Sequence, residues 1–215
     1  MNWFRKHKKK LLYLFLSALM LCTVGILGAF HFFKNRFFSA APNSLTLVGE
    51  LQPFEFTWVG QKFSEDYSEP HSAILLPVNV PGIPEPLYMQ FDTGAPSTFF
   101  RSGCLESLKE RGVVVELVEQ DERTVVRKFE LSVGGNRVVL EPARVMQRDI
   151  HIDWDKPINI IGSIGADFVD NVVFAIDFPA EHIHLFRERP KDFATLGSFL
   201  PFEFKARRIM LPTTI

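Results

Sequence analysis

The sequence contains little cysteine, with only Cys22 and Cys104 among 215 residues. Because Cys22 lies inside a long apolar run, no internal disulfide framework is expected. The length accommodates one ordinary domain with an appendage, so a large two-lobed enzyme does not fit. A composition of 47% hydrophobic and 23% charged residues predicts a buried core, which excludes wholesale disorder and collagen-like or coiled-coil chains.

Acidic residues are absent from residues 1–39, which contain seven Lys and Arg. The remaining residues, 40–215, hold 17 bases and all 25 acids, a net charge of −8. An acidic body of this kind does not favour polyanion binding, and we therefore expect no nucleic-acid partner.

Charged residues of either sign are absent from residues 11–33, a run of 23. As a helix this run would span about 34 Å, enough for a hydrocarbon core of about 30 Å. The basic segment 1–10 predicts a cytoplasmic N-terminus by the positive-inside rule, so the acidic body would lie outside the cytoplasm. The sequence thus predicts a single-pass signal anchor, most consistent with a bacterial inner membrane and a periplasmic body. Cleavage near residues 39–41 is the alternative, which Pro42 disfavours.

The rest of the chain has the pattern of a β protein. Residues 34–71 are interpreted as a linker with an early strand near 46–59. From residue 72 onward, short β-rich runs alternate with turn residues: 73–80, 87–91, 98–100, 113–118, 124–133, 137–140, 172–176 and 182–186. Residues 134–136, Gly-Gly-Asn, predict a tight hairpin. Only 104–111 and 166–170 have a helical pattern, so we predict an all-β domain over 72–190 with one or two short helices, followed by a C-terminal extension over 191–215.

The most informative segment is residues 91–100, Phe-Asp-Thr-Gly-Ala-Pro-Ser-Thr-Phe-Phe. An apolar strand leads into a turn that begins at Asp92, and a second apolar strand follows. Gly94 is expected to adopt backbone geometry closed to other residues. Asp-Thr-Gly alone occurs by chance in roughly one chain in twenty of this length. The plain alternative is a β-turn in which Asp92 caps its own backbone and Gly94 has a positive φ.

The wider setting of this tripeptide resembles the active-site signature of the retropepsin-like aspartic proteases. That signature is Asp-Thr-Gly-Ala, two further residues, Thr and two apolar residues. Residues 162–178 are similar to a second element of the family, an apolar-apolar-Gly motif that opens a short helix and precedes a strand ending in Ile-Asp. Ile164 and Gly165 occupy this support element, with Ser163 at its first apolar place, and residues 160–162 offer a second candidate. The resemblance covers residues 74–186 and implies a single-lobe retropepsin-like fold.

The resemblance implies catalysis by two carboxylates that cannot both ionise and that share a water molecule. Because the chain has no second Asp-Thr-Gly, Asp92 must meet Asp92 of a second copy in a twofold homodimer. Thr93 would brace the opposite turn, Gly94 would allow close backbone approach, and Ser97 or Thr98 would orient the carboxylate. The supporting residues of the predicted active-site loop are Thr93, Gly94, Ala95, Ser97 and Thr98. No metal and no cofactor is implied.

Glycine is absent between Val113 and Val133, where the family has a substrate-covering hairpin with glycines at its tip. Residues 119–123 are the one turn-like candidate there. Two functions therefore remain open. The first is a membrane-anchored aspartic endopeptidase that cuts polypeptides outside the cytoplasm, and the intact Asp-Thr-Gly-Ala favours it. The second is a non-catalytic protease-like domain that binds peptides or scaffolds an envelope assembly, and the missing glycines favour that alternative.

Other chemically capable residues do not form a convincing pattern. His182 and His184 alternate on a strand and, even with Glu181 and His151, supply two metal ligands at best, so solvated strand residues are expected. Cys104 has no histidine near it in sequence, and we expect no reactive thiol.

Overall fold

The computed structural model describes residues 3–38, 43–191, 203–205 and 208–210, and the chain divides into two compact units, residues 1–41 and 42–215. The first unit is helix α1 (Trp3–Phe38). Within it, Phe15–Phe33 are long and apolar enough to cross a membrane, a property that an N-terminal signal sequence shares. The side chains described in this span are all exposed within the unit. Residues 39–42, which contain the alternative cleavage site, lie outside the described residues.

The second unit is mostly β, as the sequence predicts. Its strands are β1 (Leu45–Val48), β2 (Phe54–Glu55), β3 (Thr57–Lys62), β4 (Ser68–Asn79), β5 (Leu87–Phe91), β6 (Phe99–Arg101), β7 (Leu117–Gln120), β8 (Arg123–Val126), β9 (Phe129–Val133), β10 (Asn136–Leu140), β11 (Ala143–Met146), β12 (Ile160–Ile164), β13 (Val173–Asp177), β14 (His182–Phe186), β15 (Glu203–Lys205) and β16 (Arg208–Met210). Helix α2 (Ser102–Glu110) and a 3₁₀ helix (Ala166–Val169) occur where the two helical segments were predicted.

Eleven strands form one sheet in the order β1-β10-β9-β4-β5-β12-β6-β11-β8-β7, with β3 paired to β4. A second sheet has the order β13-β14-β2, and β15 pairs with β16. Most neighbours are antiparallel, but β12 runs parallel to β5 and β11 runs parallel to β6. The hairpin predicted at residues 134–136 joins β9 to β10, and Gly134 and Gly135 have φ of 53° and 84°.

The segment predicted as a linker, residues 34–71, contributes more than one early strand. It supplies β1, β2 and β3, and β4 begins at Ser68, four residues before the expected domain start. In β1 burial alternates along the strand, because Leu45 and Leu47 enter the core while their neighbours remain exposed. Of the predicted C-terminal extension, 191–215, the described residues include β15 and β16, and residues 192–202, 206–207 and 211–215 lie outside them.

Two neighbouring rows of residues cross the main sheet and project from opposite faces. In the core row, Gly162 pairs with Met89 and Phe100, both fully buried. Shifted by one residue, the outer row includes the cross-strand partners Leu75, Gln90, Ser163, Phe99, Arg144, Val125 and Val118. Leu75, Ser163 and Val125 are buried, whereas the other four are half-buried or exposed. Because side chains alternate along a strand, the outer row lies on the face away from the core.

Candidate functional site

The Asp92 turn connects β5 to β6. The Asp92 N–H donates to the Ile164 carbonyl at 2.9 Å, which extends the pairing of β5 with β12 by one residue. Asp92 Oδ1 accepts hydrogen bonds from the N–H groups of Gly94 at 2.9 Å and Ala95 at 3.3 Å. Asp92 is half-buried, and within the described part of the chain its Oδ2 accepts no hydrogen bond. The turn therefore fixes one carboxylate oxygen and leaves the other for further contacts.

Gly94 leaves room for the Asp92 carboxylate and does not supply an unusual φ. We expected a backbone geometry closed to other residues, and that expectation is wrong, because Gly94 is not among the glycines with positive φ. A Cβ at this position would lie 3.1 Å from Asp92 Oδ1. Glycine thus makes room for the carboxylate to fold back over the turn.

Strand β12 lies between β5 and β6, the two strands that flank the turn. The structure brings the support residues Ile164 and Gly165 directly against the turn: Ile164 is fully buried and its carbonyl accepts the Asp92 N–H. A Cβ on Gly165 would lie 2.5 Å from the Ser97 carbonyl carbon, so only glycine fits. The next residue, Ala166, donates its N–H to the Ala95 carbonyl at 2.8 Å. The turn is therefore held from behind by backbone contacts over several residues.

Asp167 is a site residue to which the sequence analysis assigned no role. Its Oδ2 accepts the Thr98 N–H at 2.7 Å and its Oδ1 accepts the Thr98 hydroxyl at 2.8 Å. The same hydroxyl accepts the Gly165 N–H at 3.1 Å. Both Asp167 and Thr98 are about 1% exposed, and a buried carboxylate with these contacts locks the end of the turn to the 3₁₀ helix. The feature of the sequence that could have identified Asp167 is an acid in an apolar stretch, two residues after Gly165.

The expected orienting role of Ser97 or Thr98 is wrong for this chain. Thr98 faces the core side, where Asp167 engages its hydroxyl. The Ser97 hydroxyl instead accepts a hydrogen bond from Arg144 Nη1 at 2.6 Å. The groups that orient the Asp92 carboxylate are the backbone N–H groups described above. The role of Thr93, which is half-buried, involves a second chain and stays a prediction.

Among the described residues, Arg144 is the cation that forms a hydrogen bond to a side chain of the turn. Burial lowers the pKa of its guanidinium, the positive charge of Arg123 lowers this pKa further, and the negative charge of Asp167 raises it. Arg144 as a whole is exposed, whereas Ser97 is buried. The turn thus has an arginine on one side and an aspartate on the other.

The glycine-free segment forms a hairpin. Strands β7 and β8 pair antiparallel at the edge of the main sheet, and Asp121 and Glu122 form the turn between them. Their φ angles of 50° and 60° lie in the left-handed region that glycine usually occupies. The hairpin therefore exists without glycine at its tip, with two acids in conformations that side chains disfavour.

The remaining chemically capable residues lie elsewhere. Among the described residues no three His, Cys, Asp or Glu side chains are grouped closely enough to hold a metal ion. His182 Nδ1 lies 2.6 Å from the Ala180 carbonyl, and His151 Nε2 lies 3.0 Å from Asp149 Oδ1. Cys104 donates its S–H to the Ile150 carbonyl, and burial raises the pKa of its thiol, which disfavours a nucleophilic thiolate.

Two surface pockets in the described part of the chain do not include the Asp92 turn. One of about 390 Å³ is lined by residues that include Val118 of β7 and Pro142, and one of about 240 Å³ is lined by residues that include Cys104 and His151. Comparisons with protein-family models, curated proteins and solved structures find no match to this chain. Function is therefore inferred from the residues of the site.

Proposed function

We propose that the protein is a retropepsin-like aspartic endopeptidase, anchored in a membrane by α1 and active as a homodimer. The observation that carries this proposal is the arrangement around Asp92. Strand β12 separates the two strands that flank the turn, Gly165 packs against the turn, and Asp167 holds Thr98. These contacts hold an acid in a fixed position on the face away from the core, as an acid-base catalyst requires.

The reaction uses the carboxyl groups of Asp92 from two chains. At a separation of a few ångströms both cannot ionise, so the pair holds one proton over a range of pH. The ionised carboxylate takes a proton from a water molecule, whose oxygen attacks the peptide carbonyl, while the protonated carboxyl donates to the carbonyl oxygen. Collapse of the tetrahedral intermediate breaks the C–N bond: the carboxyl that took the proton from water passes it to the leaving amine, and a hydroxyl of the intermediate returns a proton to the other carboxylate as the product carboxyl group forms.

Membrane anchoring supports dimer formation, because chains confined to a plane meet at a higher effective concentration than free chains. The bases in residues 1–10 favour a cytoplasmic N-terminus and a body outside the cytoplasm, at the periplasmic face of a bacterial inner membrane. A reporter enzyme fused after residue 215 tests this orientation. Activity of a reporter that functions only in the cytoplasm would contradict it.

Comparison of the wild type with Asp92→Asn tests the catalytic role. The full chains, purified in detergent, are incubated with a diverse peptide mixture from about pH 4 to 7, and the products are identified by mass spectrometry. We expect a bell-shaped pH profile centred on the acid side for the wild type, and at least about a thousand-fold slower cleavage for the variant. Asp155→Asn, a change of the same chemistry in an exposed loop, is the control and should cleave like the wild type. Identical product lists from wild type and Asp92→Asn would refute the peptidase.

Self-association is a second requirement of the proposal. Sedimentation of the detergent-solubilised full chain should show a monomer–dimer equilibrium that shifts with concentration. A strictly monomeric species at high concentration would remove the source of the second Asp92 and with it the mechanism.

A non-catalytic peptide-binding domain is the second candidate. Two observations favour it: Asp92 Oδ1 caps its own backbone, as in an ordinary turn, and the β7–β8 turn has two acids where a substrate-covering hairpin has glycine. This candidate predicts peptide binding that Asp92→Asn does not alter and no cleavage by either protein.

A further inference from the structure

Two arginines occupy diagonal positions on the neighbouring strands β8 and β11 of the outer face. Arg144 belongs to the outer row and is the cross-strand partner of Val125, and Arg123 precedes Val125 by two residues on β8. Residues two apart on a strand project from the same face, so Arg123 and Arg144 are diagonal neighbours, about 7–8 Å apart at the backbone. Their proximity agrees with the effect of the Arg123 charge on the pKa of Arg144.

Arg144 joins this arginine pair to the catalytic turn. Its Nη1 donates to the Ser97 hydroxyl at 2.6 Å, and Ser97 lies in the same turn as Asp92. Three strand spacings separate β5 from β11, in the order β5-β12-β6-β11. At about 4.8 Å for each spacing, the distance between the two strands is roughly 14 Å. An extended peptide covers this distance in about four residues, and fewer residues are needed where an arginine side chain reaches toward the turn.

Neither guanidinium forms an ion pair with a carboxylate of the described residues. Within the described residues, no carboxylate lies within the 4.0 Å of an ion pair from Arg123 or Arg144. The acid that acts on Arg144 is Asp167, and both of its oxygens accept hydrogen bonds from Thr98. Glu119 of β7 is the cross-strand partner of Thr124, so it projects from the other face, where it accepts the Thr124 hydroxyl at 2.7 Å.

Two adjacent cations repel each other, and a carboxylate placed between them would relieve that repulsion and accept hydrogen bonds from both. The acids of the β7–β8 turn, residues 121–122, are exposed in this structure and do not fill this place in the described contacts. We propose that Arg123 and Arg144 form a carboxylate-binding subsite that selects polypeptides with Asp or Glu about two to four residues from the cleaved bond. This inference rests on the proposed peptidase function and names its substrate class.

Peptide binding to the Asp92→Asn full chain in detergent tests the subsite without catalysis. The probes are fluorescein-labelled, C-terminally amidated decapeptides that carry Glu or Gln at one position two to four residues from the centre, on either side. Fluorescence anisotropy should give about ten-fold tighter binding of the best Glu peptide than of its Gln partner, and added salt should reduce the difference. Equal affinities for all Glu and Gln pairs would overturn the subsite, whatever the cleavage result.

Substitution of each arginine in turn tests whether the Glu preference depends on the arginine charge or on an intact Asp92 turn. Arg123→Gln and Arg144→Gln should each reduce the Glu preference to about two-fold or less, and Arg144→Lys should retain part of it. Arg123 makes no described hydrogen bond to the turn, so its variant is informative even if Arg144→Gln disturbs Ser97. Arg137→Gln, which removes an arginine already paired with Glu130 at 2.7 Å, is the control and should keep the full preference.

Cleavage assays and a comparison with a free C-terminal carboxylate distinguish failure of the carboxylate subsite from failure of the proposed peptidase. The wild type should cleave the best Glu peptide with about ten-fold higher kcat/KM than its Gln partner. Selective binding without any cleavage by the wild type would refute the peptidase and retain the carboxylate subsite. If a free C-terminal carboxylate replaced the Glu side chain without loss of affinity, selection of an acidic side chain would be refuted.

Discussion

The two faces of the main sheet are built from the same strands but differ in burial and in polar contacts. Phe99 and Phe100 are adjacent in the chain, yet Phe100 is fully buried with its ring 4.7 Å from that of Phe129, whereas Phe99 is half-buried in the outer row. Ser97 and Thr98 are both buried but have different partners, because Arg144 contacts one hydroxyl and Asp167 the other. A two-residue period therefore lets one turn be fixed from the core side and remain accessible on the other.

The largest expected difference between the faces concerns the two phenylalanines. Phe100→Ala should lower the free energy of unfolding by about 3–5 kcal/mol, because it opens a cavity in a fully packed core. Phe99→Ala should lower it by only about 1–2 kcal/mol, since part of its ring is already in water. Urea unfolding of the full chain in detergent, followed by tryptophan fluorescence, measures both. Equal losses would mean that the two faces are equally packed and would break the comparison.

Loss of the polar contacts of the turn should show a smaller difference in stability, again with the larger loss on the core side. Asp167→Asn should cost about 1–3 kcal/mol of stability, because an amide cannot accept from Thr98 at both of its positions and leaves a buried group unsatisfied. Arg144→Gln should cost less than about 1 kcal/mol, because the side chain is largely exposed and water replaces its contact. The same unfolding measurement applies, and a larger loss for Arg144→Gln would place the structural anchor on the outer face.

Substitutions in the β7–β8 and β9–β10 turns should have smaller effects on stability, and these effects should be opposite in sign. Glu122→Gly should raise stability by about 0.5–1 kcal/mol, since Glu122 has a φ of 60° that glycine adopts freely. Gly135→Ala should lower stability by about 1 kcal/mol, because Gly135 has a φ of 84° and a Cβ there would meet open space, so strain alone acts. Melting temperatures followed by circular dichroism test both, and a fall for Glu122→Gly would show that Glu122 makes a stabilising contact.

The smallest expected effect concerns a surface carboxylate far from the turn. Hydrogen bonds from Arg137 and then Lys128 lower the pKa of Glu130, although burial opposes them weakly. A lowered carboxyl pKa stabilises the fold above its ordinary value of about 4.3, and this contribution is lost as the pH falls through the lowered value. Glu130→Gln should therefore be slightly less stable than the wild type at pH 7 and equally stable at pH 2. A difference that persists at pH 2 would indicate packing and not charge.

Local patterns in the sequence located many of the strands. The predicted bounds of β5 and β14 agree with the structure, and the Gly134–Gly135 turn lies where a tight hairpin was expected. These elements follow from alternation and turn chemistry, which act over a few residues. The run predicted as one strand over 124–133 is instead divided into β8 and β9, because pairing with different neighbours breaks it after Val126.

Strands β11 and β12 were not predicted as strands. Residues 160–164 contain Gly162 and Ser163, which weaken the local β pattern. The place of β12 between β5 and β6 depends on contacts across the sheet: a Cβ on Gly162 would overlap the Phe99 carbonyl oxygen, so glycine permits this close pairing. Such a requirement is visible only when both strands are in position.

The sequence by itself determined that an apolar N-terminal helix precedes a mostly β body and that Asp92 follows an apolar strand into a turn. Only the tertiary structure decided which side chains meet at that turn. Thr98 contacts Asp167 across 69 residues of chain, and Ser97 contacts Arg144 across 47. Propensity and periodicity act over a few neighbouring residues, whereas these partners are chosen by the register of strands that are distant in sequence.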